Sequence, residues 1–143
     1  RVQLFPTGLV EGDRLYVYQA DPRTDAYPLA LISPASAHTI SSTLGELRPT
    51  IARVKIHPED AQPRSIAEGD PVRIFNGHGE VRCEAAVTPE VRPGTLALPK
   101  GLWLRSTFNG STSNALIPDT LSDFGGGACY NDARVQVELA GRH

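Results

Sequence analysis

Two stretches of the chain are rich in side chains that could do chemistry. The first, residues 33–43, reads SPASAHTISST, and Ile40 is its only bulky apolar residue. The second, residues 108–114, reads FNGSTSN and ends on the amide of Asn114. Short side chains let backbone N–H groups approach an anion closely, and hydroxyls add donors that rotate to fit. An amide at Asn114 offers both a donor and an acceptor to the edge of a heterocycle. The structural alternative is plain: Ser and Thr cap helices, and Asn caps turns. On these stretches alone both readings stay open.

The remaining reactive groups do not assemble into a known catalytic pattern. The four histidines lie at 38, 57, 78 and 143. Only His38 falls in a candidate site, and no sequence feature places an acid beside it, so no Ser–His–Asp constellation is indicated. His57, ahead of Pro58-Glu59-Asp60, reads as a helix cap, and His78 as the tip of a hairpin. Cys83 and Cys129 are far apart and neither belongs to a C-x-x-C pair, which argues against a metal knuckle or iron–sulfur motif built from this chain alone. Cys83 lies on the apolar parity of a strand and reads as a buried, reduced thiol. There is no G-x-G-x-x-G, P-loop or H-E-x-x-H motif. Gly125-Gly126-Gly127 reads as a turn needing positive φ or close packing.

Bulk properties narrow the classes further. A formal net charge of −2 leaves no basic footprint, so no nucleic-acid partner is expected. No apolar run approaches the ~20 residues of a membrane helix, so no membrane insertion is expected. The chain of 143 residues has no Met and starts with Arg, so we expect a processed product or a piece of a longer protein. Its length suits one domain with a substantial core. No compartment can be read from it.

The elements that must position the two polar stretches are strands. Residues 29–32 (LALI) form an unbroken apolar run, too short for a stable helix and suited to a strand buried on both faces. It delivers its end directly into the stretch that begins at Ser33-Pro34. Residues 53–56, 72–75, 81–87, 95–98 and 133–139 follow as strands, with 2–5 and 14–18 as earlier candidates. Alternation puts Val54, Ile56, Val72, Ile74, Val81, Cys83, Val87, Val135, Val137 and Leu139 inward. Asn76-Gly77-His78-Gly79 reads as a hairpin loop. A helix should begin at Pro58 and be cut short by Pro63. Residues 39–47 and 119–123 are candidates for brief helical turns. Six or seven strands with token helices should close into a barrel, since closure removes exposed edges.

Read together, several phrases carry a resemblance. YPLALISPASAHTISSTLGEL, VKIHPEDAQPRSIAEGDPVRIFNGHGEV, VRPGTLALPKGLW and NGSTSNALIPDTLSDFGGGACYNDARVQVEL resemble, in order, the C-terminal cofactor-binding domain of the dimethyl sulfoxide reductase type of molybdopterin oxidoreductase. The similarity covers residues 27–139. The resemblance implies a mainly β fold, a double-psi β-barrel spanning 27–143, with 1–26 as a lead-in segment. It implies binding of a molybdopterin guanine dinucleotide, with the molybdenum or tungsten held mainly by other domains of the parent oxidoreductase, which would be this chain's partners. The fragment alone would then lack the catalytic metal centre. The family's loop after the first barrel strand maps to Ser33, Pro34, Ala35, His38, Ser42 and Thr43. Its Asn-x-Leu motif maps to Asn114-Ala115-Leu116. A late aromatic-Lys pair of many members maps to Tyr130-Asn131, where Asn131 replaces the lysine. Many members also carry Arg where this chain has Ala35 or Ser36. Both departures point to a grip that relies on neutral donors. The competing class is a non-enzymatic double-psi barrel that binds a substrate or a protein. A self-processing decarboxylase on the same barrel would need a Gly-Ser cleavage site, and Gly110-Ser111 lacks the surroundings.

Overall fold

Six strands with inward-facing aliphatic residues close on one another to form the wall of a barrel. A computed structural model describes residues 23–47, 50–121 and 126–141. The strands are β1 (Leu29–Ile32), β2 (Arg53–Ile56), β3 (Pro71–Phe75), β4 (Glu80–Val87), β5 (Thr95–Ala97) and β6 (Ala133–Leu139). Around the closed barrel they run β1-β5-β2-β4-β3-β6. The candidate strands at 2–5 and 14–18 lie outside the described residues, as do residues 122–125 and most of the lead-in segment.

Alternation decides the core. In β2 Val54 and Ile56 are buried while Arg53 and Lys55 are exposed. In β3 and β4, Val72, Ile74, Val81, Cys83 and Ala85 have no measurable exposure, and Val135 and Val137 of β6 join them. Leu96 and Leu98 complete the interior from the β5 side. Three expectations need correcting. Val87 is only partly buried, because it sits at the last position of β4 and packs against the edge of the cluster. Leu139, at the end of β6, is 42% exposed because it has run past the barrel interior. And β1 is not buried on both faces: Leu29 and Leu31 point inward, but Ile32 is exposed. A closed barrel has one interior, so the unbroken apolar run of β1 leaves an apolar residue on the outer wall.

The register fixes which loops share an end. β1 runs parallel to β5, β2 runs parallel to β4, and all other neighbours are antiparallel. The strands β1, β3 and β5 therefore finish at the same end, where β2, β4 and β6 begin. That end carries the described residues of 33–52 and 98–132 and the 76–79 hairpin. The opposite end carries residues 57–70 and 88–94. It holds the helix α1 (Pro58–Ala61), whose N-cap is His57, with Nδ1 accepting from the Glu59 N–H at 3.2 Å. Pro63 indeed stops it, and the chain goes on as a 3₁₀ turn over Gln62–Arg64. Asp60 ties this end together by accepting from the Gly94 N–H at 2.7 Å.

Candidate functional site

The stretch after β1 is held at its root by backbone. The β1–β5 pairing continues past both strands, with the Leu98 N–H donating to Ile32 O at 3.1 Å and the Lys100 N–H to Pro34 O at 3.0 Å. Ser33 is tied from the third side, its N–H donating to Asn131 Oδ1 at 3.2 Å. Further out, the chain bonds mostly to itself. The His38 N–H donates to Ser36 Oγ at 3.0 Å, and Ile40 and Thr43 pair across a tight turn. Residues 39–47 do not wind into a longer helix; only Gly45–Leu47 forms a 3₁₀ turn. Ser41 and Leu44 take positive φ (52° and 72°), which breaks helical continuity.

That turn is clamped from across the molecule. Trp103 Nε1 donates to Ser42 O at 2.7 Å. The indole lies so close to Gly45 that a Cβ there would sit 2.6 Å from Nε1. Gly101, at φ 74°, packs its Cα against the Ser41–Ser42 peptide, and an added Cβ would meet Ser41 C at 2.2 Å. Both glycines are thus required by close approach, and Gly101 by its backbone conformation as well.

Two clefts flank the root of this loop. The smaller, about 390 Å³, is lined by Ser33, Lys100, Ser113, Asn114, Tyr130 and Asn131, with Ile117 beside them. The larger, about 500 Å³, runs down the barrel wall from Pro34, Ala35 and His38 past Ile32 and Pro99 to Lys55 and Glu90. The structure therefore gathers Ser33, Asn114 and Asn131 in one cleft and Pro34, Ala35 and His38 in the other. Ser42 and Thr43 line neither; they sit exposed on the clamped turn. Of the second polar stretch only its end reaches a cleft. Asn109 is spent on scaffolding, with Oδ1 accepting from the Arg82 N–H at 3.0 Å and Nδ2 donating to Glu80 O at 3.2 Å. Residues 119–121 form no helical turn; Leu121 instead bridges to Ala128.

The clefts differ in charge. In the larger, Lys55 pairs with Glu90 at 2.5 Å, and Arg53 is engaged by Glu68 and donates to Ala85 O at 3.0 Å. The hydrogen bond from Arg53 holds the Glu68 carboxyl below the usual range, and Lys55 does the same for Glu90. In the smaller cleft Lys100 is the only charged lining residue, and no carboxylate among the described residues pairs with it. The side chain of Asn114 and the Nδ2 of Asn131 likewise have no protein partner among the described residues. Sequence reasoning missed Lys100. Its only signal was a lysine inside the Pro99-Lys100-Gly101 turn directly after β5.

Two groups lie apart from the clefts. Cys83 is a buried free thiol, and desolvation pushes its pKa up to about 12; Cys129 forms no disulfide among the described residues. Among the described residues no three His, Cys, Asp or Glu side chains come together as a metal-binding group. No helix among them is long and apolar enough to cross a membrane.

Unpartnered hydroxyl, amide and ammonium groups converging on one cleft suit a phosphorylated heterocyclic ligand, and comparison with known proteins points the same way. Residues 29–134 match the family described as "Molydopterin dinucleotide binding domain". The chain is 37% identical over 126 residues to "Dimethyl sulfoxide reductase DmsA" of Escherichia coli, covering 82% of this chain and 16% of that protein. It is 45% identical over 83 residues to "Probable oxidoreductase YoaE" of Bacillus subtilis, covering 58% of this chain and 12% of that protein. The chain thus spans about an eighth to a sixth of the length of these relatives. Its fold matches a part of acetylene hydratase from Pelobacter acetylenicus with a TM-score of 0.67 at 18% identity, over 80% of this chain and 18% of that one. A mainly β closed barrel, the family match over most of its length and the relatives together establish that this chain belongs to the molybdopterin dinucleotide-binding domain family of the dimethyl sulfoxide reductase-type oxidoreductases.

Proposed function

We propose that the barrel end formed by residues 33–43 and 98–132 holds a molybdopterin guanine dinucleotide within a larger oxidoreductase. The carrying observation is the smaller cleft, where Asn114, Asn131 and Lys100 present donors with no protein partner among the described residues. Buried polar groups without partners are costly, whereas donors left open on a cleft are available to a ligand. Ser33 and Asn131 stand beside each other through their hydrogen bond, which orients the Asn131 amide. Pro34, Ala35 and His38 contact the cofactor from the loop's other side, over the apolar wall of Ile32 and Pro99. Ser42 and Thr43 contribute hydroxyls from the clamped turn.

Each cleft alone covers only part of so large a ligand. The other domains of the parent enzyme supply the rest of the enclosure and the molybdenum or tungsten centre; the dinucleotide's dithiolene brings the metal and its redox chemistry. This chain's own contribution is orientation and retention.

In the full-length oxidoreductase that carries this domain, Asn114→Ala and Ser33→Ala should each lower cofactor retention, by roughly 1–3 kcal/mol for a ligand group left unpaired. Nucleotide released on denaturing equal amounts of purified enzyme measures it. Full occupancy in both variants would remove the site.

A further inference from the structure

We propose that Lys100 is the phosphate-binding cation of this domain, placing the pyrophosphate of the dinucleotide in the smaller cleft and leaving the larger one to uncharged parts of the ligand. The proposal rests on the dinucleotide reading above and deepens it.

The cations of β2, β3 and β4 are already engaged by carboxylates: Arg53 by Glu68, Lys55 by Glu90, Arg73 by Glu80 and Glu138, and Arg82 by Glu80. An anion arriving at Arg53 or Lys55 in the larger cleft must displace a bound carboxylate. Lys100 faces no such competitor among the described residues. Its polar neighbours lining the cleft are neutral hydroxyl, amide and phenol groups, so none of these described residues cancels its charge.

Geometry adds direction. The Lys100 backbone is fixed by its hydrogen bond to Pro34 O, at the point where residues 33 and 34 turn to opposite clefts. Gly101 follows immediately and is packed against the Ser41–Ser42 peptide. The backbone at the lysine is thus held on both sides, while the ammonium has no partner among the described residues. A point charge on a fixed root suits a phosphate, which offers several equivalent oxygens and needs no bidentate fork. The neighbouring Asn131 and Asn114 amides can donate to the remaining oxygens or to the adjoining sugar.

The test uses guanosine diphosphate and guanosine as probes on this chain, whose barrel closes around its own core. Affinities are read by nuclear magnetic resonance titration at low and high salt. Lys100→Gln should weaken guanosine diphosphate binding by roughly threefold to tenfold, leave guanosine unchanged, and remove most of the salt dependence. Lys100→Arg should restore diphosphate binding. Wild-type shifts at Ser33, Asn114 and Asn131 combined with an unaltered Lys100→Gln affinity would overturn this proposal alone. Absence of diphosphate-induced shifts in the wild-type cleft would overturn it together with the dinucleotide reading.

Discussion

Glu80 accepts from two guanidinium groups, Arg73 Nε at 2.5 Å and Arg82 Nε at 2.9 Å, and Arg73 also reaches Glu138 at 3.0 Å. The hydrogen bond from Arg73 is the main reason the Glu80 carboxyl is held below its usual value, and Arg73 is raised in return. A depressed folded-state value means stabilisation that is present above the unfolded carboxylate pKa, about 4.3, and lost as pH falls through the folded value. Glu80→Gln should therefore destabilise the barrel at pH 7, but by no more than about 1 kcal/mol, since the group is solvent-accessible and screened. The deficit should shrink as pH falls below the unfolded value and vanish once the folded-state carboxyl is protonated. Urea melts across a pH series measure it, and a deficit that does not change with pH would show that the ion pairs do not matter. At this scale the sequence was only partly legible. Asn114 could be singled out because it ends a hydroxyl-rich loop, and Asn131 only through the family resemblance, where it stands in place of a lysine. Lys100 could not, because what distinguishes it is the lack of a carboxylate partner among the described residues, and pairing across strands is a matter of register. The same holds for Asn109, which looks like its neighbours but serves Arg82 and Glu80.

Among the elements, the turn at residues 40–45 depends most on a distant partner. Ser41 and Leu44 lie in the left-handed region, which costs an ordinary side chain on the order of 1–2 kcal/mol. Backbone strain of this kind persists only when surrounding structure over-determines it. Here the determinants are the Trp103 hydrogen bond to Ser42 O and the close fit of Gly45 and Gly101. Trp103→Phe keeps an aromatic ring over Gly45 and deletes the N–H. It should cost roughly 0.5–1.5 kcal/mol and speed amide exchange at residues 40–45 more than elsewhere. Exchange that rises evenly over the chain, or not at all, would show that the indole does not hold the turn. The strands could be read from alternation because each position's environment repeats every second residue. The turn could not, because its conformation is imposed by a contact 61 residues away. The helical winding expected over 39–47 is confined to the 3₁₀ turn at Gly45–Leu47 for that reason.

On the scale of the whole molecule, a closed barrel was readable from the number and shortness of the strands, and their parity gave the inward residues of β2, β3, β4 and β6, but not Leu96, Leu98 or Leu116, which complete the core. What parity cannot give is the order of strands around the wall. The parallel pairs β1–β5 and β2–β4 join strands distant in sequence, and that arrangement brings residues 33–52 and 98–132 to one end. The ends are unequal: one carries short turns and a four-residue helix, the other the described parts of the two long polar segments and the whole smaller cleft, while the larger cleft reaches from there down the wall to Glu90. Hence the central claim, that a dinucleotide is held at that end and nowhere else on the barrel. The most direct measurement is a map of amide shifts as guanosine diphosphate is titrated into the uniformly labelled chain. Without the enclosure of the full enzyme, affinity should be on the order of millimolar, or about 4 kcal/mol. Shifts should concentrate at residues 33–43, 98–101, 113–117 and 130–132. Shifts confined to residues 57–70 and 88–94, at the opposite end, would contradict it.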